Sequence, residues 1–170
     1  KTRGIGALIA HQTIPLVPLY RGGGQERGLR SGSEAPELAR EFAACLRQAA
    51  LGREAFIARA SRARAELITA ITTTISDVQV NGGKHQSQHI LNISLPRRDT
   101  DYLVALLDEA GFAVSTRSAC ETDSENSSRA VLALIGDSER ARTTLRISWR
   151  PSTSARELVS FRQALVDAVR

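Results

Sequence analysis

From Pro36 to about Ile71 the sequence carries apolar residues at helical spacing. Leu38, Phe42, Cys45, Ala49, Phe56, Ala60, Ala63, Leu67 and Ile71 recur at three-, four- and occasionally seven-residue steps. Pro36 suits a first turn, and Ser33 or Glu34 suits the cap before it. Gly52 is a point where such a helix can kink. Unbroken, it would be about 50 Å long at 1.5 Å per residue. A helix of this length often connects two domains.

Before the helix, residues 4–10 (GIGALIA) read as a buried strand. IPLVPLY reads as an extended segment whose prolines bar it from a sheet centre. Residues 21–35 form a glycine-rich loop holding Arg21, Arg27 and Arg30. After the helix the pattern is strand 77–80, strand 88–95, helix 99–110, strand 112–114, helix 128–135, strand 143–149 and helix 154–169. That order suggests an α/β two-layer sandwich with a mixed or antiparallel sheet. The expected organisation is 1–35, a linking helix 36–75, and a small domain 76–170.

A chain of 170 residues can hold one domain with a real core, or one small domain and part of another. No apolar run approaches membrane-spanning length, and two cysteines make no disulfide framework; a reducing cytoplasm is the expected setting. The net charge of +5 is nearly all arginine, spread along helices among glutamates. This reads as solvated faces rather than a nucleic-acid surface. The chain has no methionine, which suggests a piece of a larger or processed protein.

Cys120 stands in SACETDSENSS, a stretch too polar to bury it. Its thiolate could be a nucleophile or a sulfur carrier; an incidental surface cysteine is the rival reading. Arg117 favours the thiolate, whereas Glu121 and Asp123 oppose it. Cys45 falls on an apolar helical stripe and is expected to pack in a core. Arg146, between Leu145 and Ile147, either points to the polar face of its strand or holds an anion, its fork suiting a carboxylate. The glycine-rich segment has neither the Walker A ending nor a dinucleotide fingerprint. Its amides, its arginines and the hydroxyls of Ser31 and Ser33 could still bind a phosphate. His11, His85 and His89 lack metal-ligand spacing, so no metal is expected.

Taken in order, GIGALIA with RGGGQERGLRSGS, then HILNISL, AVSTRSAC and TLRISW resemble the cysteine desulfurases of the NifS/IscS type, in the class V aminotransferase family of fold type I. There the stretches read GIGAL with GGGHERGxRSGT, NILNVSF, AVSSGSAC and IRFS. The resemblance spans essentially the whole chain and implies the end of a large cofactor domain, a linking helix and a small domain. It implies pyridoxal 5′-phosphate as cofactor, L-cysteine as substrate, and a persulfide on Cys120 passed to an acceptor such as an iron–sulfur scaffold protein. It also implies a carboxylate clamp at Arg146, and a contact from Ser33 to the cofactor phosphate of the partner subunit in a homodimer.

Departures from the pattern are Arg117 for glycine, Gln25 for histidine, Ser33 for threonine, and Arg150–Pro151 for a Gly-Arg step. The family's cofactor-anchoring lysine lies in a Ser-x-His-Lys stretch upstream of GIGAL, and neither Lys1 nor Lys84 matches it. The chain alone is therefore expected to be inactive. Other readings are a selenocysteine lyase or related class V enzyme, a non-enzymatic sulfur-relay or interaction module, and a degenerate product. No nucleic acid or membrane partner is expected.

Overall fold

The computed structural model describes residues 4–116 and 127–170. The chain divides into two compact units, Lys1–Arg53 and Glu54–Arg170. The division falls inside the long helix rather than at either of its ends.

In the first unit, residues 4–24 form no strand, and most of their apolar side chains face solvent, with Ile9 96% exposed. The buried strand expected at GIGALIA is therefore absent. A buried strand needs a neighbouring strand for its amides and apolar cover for its faces, and the described part of this unit supplies neither. The glycine-rich segment folds into one short 3-10 turn, Gln25–Gly28, with Glu26 at φ 50° and Arg27 at φ 60°. Two successive non-glycine residues in the left-handed region cost on the order of 1–2 kcal/mol each. Pro36 opens helix α1, Pro36–Thr74. The carbonyl of Ala35 accepts the first helical bond, from the Ala39 amide, so the cap position falls one residue after Glu34. Gly52 does not interrupt the helix. Cys45 is exposed, against the expectation of core packing, and Leu46 and Leu51 are exposed with it.

In the second unit three strands, β1 (Gln79–Asn81), β2 (Ile90–Ser94) and β3 (Thr144–Ser148), make an antiparallel sheet in the order β1-β2-β3. Leu91 stands opposite Ile147, and Ile93 opposite Leu145. These four residues are buried and define the apolar face. Helices α2 (Thr100–Glu109) and α5 (Ala155–Val169) and the end of α1 join its core through Leu103, Leu107, Phe161, Leu165, Leu67 and Ile71. Full burial of each such side chain contributes about 1.5–3 kcal/mol. Tyr102, in the first turn of α2, is exposed.

The other face is polar. Asn92 is paired with Arg146 and Ser94 with Thr144. Helices α3 (Arg129–Ile135) and α4 (Ser138–Arg142) follow, and α4 supplies the partners for part of this face. Asn81 Nδ2 donates to Asn92 Oδ1 and to Ser94 Oγ, each at 2.7 Å. Ser94 Oγ donates to the Arg140 carbonyl at 2.8 Å, and the Arg140 guanidinium returns two bonds to Asn81 Oδ1 and one to the Val80 carbonyl. The helices begin on sequence-encoded caps: Asp99 for α2, Ser128 for α3, Asp137 for α4, and a Ser154–Glu157 capping box for α5. The expected strand at 112–114 is reduced to a single bridge at Ser115, opposite Arg146.

Candidate active site

The polar face of the sheet carries Arg146. Alternation along β3 buries Leu145 and Ile147 and turns Arg146 outward, where it is exposed beside the half-buried Asn92. An arginine here loses little hydration, and its five donors are fixed in a plane that matches a carboxylate. The strand therefore presents a rigidly based guanidinium on a surface that is otherwise small and polar.

The chain that leads toward Cys120 is attached to this arginine. Arg146 N donates to the Ser115 carbonyl at 2.6 Å, and Ser115 N donates to the Arg146 carbonyl at 3.2 Å. Thr144 Oγ1 donates to the Thr116 carbonyl at 2.6 Å, and Thr116 Oγ1 donates to Asp101 Oδ1 at 3.1 Å. One stem is thus held against the edge of β3 and the first turn of α2. The other stem begins at the buried Ser127, and Ser128 N donates to the Ala141 carbonyl at 2.8 Å. Cys120 and Arg117 themselves lie outside the described residues. The sequence pointed to Arg146 but not to Ser115, Thr116 and Thr144, which position the stem. The signal available for them was the alternation of AVST running into the polar stretch.

Ser33 belongs to the first unit and is exposed, three residues before the start of α1. The loop around it is tight. Ser31 Oγ donates to the Tyr20 carbonyl at 3.4 Å, and Arg30 donates to the Ser31 carbonyl. A Cβ on Gly22 would come within 2.7 Å of Ser31 Cβ, and Gly32 sits at φ 124°; both positions need glycine. An exposed hydroxyl on a constrained loop beside arginines fits a phosphate contact, so the loop suits the phosphate end of pyridoxal 5′-phosphate. The covalent anchor does not fit. Lys84, the only lysine among the described residues, is exposed in the turn between β1 and β2 of the second unit. Ser33 and Arg146 belong to separate units. No cluster of histidine, cysteine and carboxylate groups able to hold a metal occurs among the described residues. No described helix is long and apolar enough to cross a membrane.

No protein-family model matches the chain. It is 35% identical over 147 residues to an IscS-like cysteine desulfurase of Mycobacterium tuberculosis, covering 85% of this chain and 37% of that protein. It is 34% identical over 148 residues to a cysteine desulfurase IscS 1 of Archaeoglobus fulgidus, covering 84% and 37%. The solved structure of a NifS-like protein superposes with a TM-score of 0.76 at 25% identity, covering 92% of this chain and 40% of that one. The chain thus spans about two fifths of the length of the relatives it matches.

Proposed function

Since this chain corresponds to the C-terminal portion of the NifS/IscS-like cysteine desulfurases, we propose that it carries the sulfur-accepting half of such a site. In this reading the protein containing it takes sulfur from L-cysteine, releases L-alanine and passes the sulfur on. The observation that carries the proposal is the paired backbone bond between Ser115 and Arg146. It ties the base of the cysteine-bearing segment to the residue suited to hold a substrate carboxylate. Cys120 follows Ser115 by five positions, and five extended steps of chain reach at most about 18 Å.

Arg146 would orient the substrate by gripping its carboxylate through two parallel hydrogen bonds. Ser33 would donate to a phosphate oxygen of the cofactor held by the partner subunit. Pyridoxal 5′-phosphate, when bound, supplies an electron sink that makes the substrate sulfur open to attack. Cys120, as thiolate, would form a new S–S bond as the substrate's C–S bond breaks. The electron pair stays with the carbon skeleton, which takes up a proton and leaves as alanine. Arg117 would favour the thiolate by its charge. The resulting persulfide passes to an acceptor protein such as an iron–sulfur scaffold. A cytoplasmic homodimer is the setting that goes with this reading. The chain by itself would be inactive, because Lys84 is not placed as an anchor and Lys1 does not match the family's lysine motif.

The test is sulfide and alanine release from L-cysteine, in the presence of a thiol reductant, by the protein that contains this chain. Loss of both products in Cys120→Ser, with Cys45→Ser unaffected, supports the proposal. Full activity in Cys120→Ser removes it.

A further inference from the structure

A cavity of about 330 Å³ opens in the second unit between α1, the turn after β3, and α5. Phe56, Leu67, Trp149 and Leu158 give it apolar walls. Arg59, Arg62, Arg150 and Arg162 also line it, against one carboxylate, Glu66. None of these four arginines forms an ion pair with a described carboxylate. Arg150 lies near enough to Glu157 to favour its ionised form, which offsets that charge. Arg59, Arg62 and Arg162 remain, opposed by Glu66 alone.

The size is at the lower end of the range for small-ligand sites, which are mostly apolar with a few placed polar groups. Guanidinium groups do not deprotonate in proteins, so their charge is present at any pH the fold tolerates. A neutral apolar ligand would leave these charges unused, and a cation would be repelled. An acidic protein segment needs a far larger surface than this cavity offers.

We infer that this cavity binds a small amphipathic anion, its carboxylate among Arg59, Arg62 and Arg162 and its aliphatic tail against Phe56, Leu67, Trp149 and Leu158. The site is separate from Arg146 and does not depend on sulfur chemistry.

Trp149 is the only tryptophan in the chain, so its fluorescence reports on this wall alone. The full chain is titrated with decanoate below its micelle-forming concentration, with decylamine and acetate in parallel. Decanoate is expected to change Trp149 emission saturably, while the amine and the tailless acid do not. Arg59→Gln and Arg162→Gln are each expected to weaken decanoate about tenfold, the loss of one charge-assisted hydrogen bond, with circular dichroism unchanged. An equal response to decylamine, no saturable response, or undiminished affinity in both variants overturns the inference. So does an emission change produced by self-association, or by an acidic helical peptide when decanoate gives none.

Discussion

Ser115 and Arg146 exchange both of their backbone hydrogen bonds, at 3.2 and 2.6 Å. The backbone of Arg146 therefore holds the polar segment's stem while its side chain remains exposed on the polar face of the sheet. Stem and guanidinium can be tested apart, because they use different atoms of one residue.

Arg146→Lys keeps the charge and the backbone bonds but loses the two-pronged donor geometry. In the protein containing this chain, KM for L-cysteine is expected to rise about tenfold or more, since a charge-assisted hydrogen bond contributes roughly 1.5–3 kcal/mol. The melting temperature should be unchanged. Steady-state kinetics beside a thermal melt checks both.

Thr144 is fully buried and its hydroxyl holds the Thr116 carbonyl. Thr144→Val keeps the shape and leaves that carbonyl without its bond, at a cost of about 1–3 kcal/mol. Hydrogen exchange at the backbone amides of 115 and 116 should quicken more than exchange in α5. Equal loss of protection across the unit would point to a merely global effect.

Asn81 joins Asn92, Ser94 and Arg140 in one network. Asn81→Leu strands several polar groups at once, and urea unfolding should show a loss of about 2–4 kcal/mol. For comparison, Leu107→Ala in the core, at 0% exposure, should cost about 2–5 kcal/mol.

Glu157 is held below the ordinary carboxylate range, chiefly by the Ser154 backbone amide and then by its hydroxyl. A lowered pKa in the fold means that its stabilising share is present above the unfolded value, about 4.3. That share is lost as pH falls through the lower, folded value. Melting temperature followed downward from pH 6 should therefore fall less steeply below about pH 4.3 in Glu157→Gln than in the parent. Ser154→Ala should cost about 1 kcal/mol at neutral pH.

Much of the second unit was legible because its signals are local. The expected helices 99–110, 128–135 and 154–169 begin at the residues that cap α2, α3 and α5, and the expected strands 88–95 and 143–149 contain β2 and β3. Helix α4 escaped notice because five residues, Ser138–Arg142, are too few to establish a period. GIGALIA and Cys45 were read correctly as apolar but wrongly as buried, whereas Ala60, Leu67 and Ile71 of the same helical stripe do lie in the core. Hydrophobicity marks surface that can be covered, and the covering partner is not encoded in the stretch itself. Arg146 was found as a strand arginine. Its bond to the stem of the Cys120 segment joins residues 31 apart in sequence, and no local pattern reports such a pairing.

The most direct measurement of the central claim is mass spectrometry of the cysteine peptides after the protein containing this chain has met L-cysteine without reductant. One added sulfur atom on the Cys120 peptide, with none on the Cys45 peptide, is the predicted result. Alanine release with the Cys120 peptide unmodified, or with the sulfur on Cys45, would contradict it.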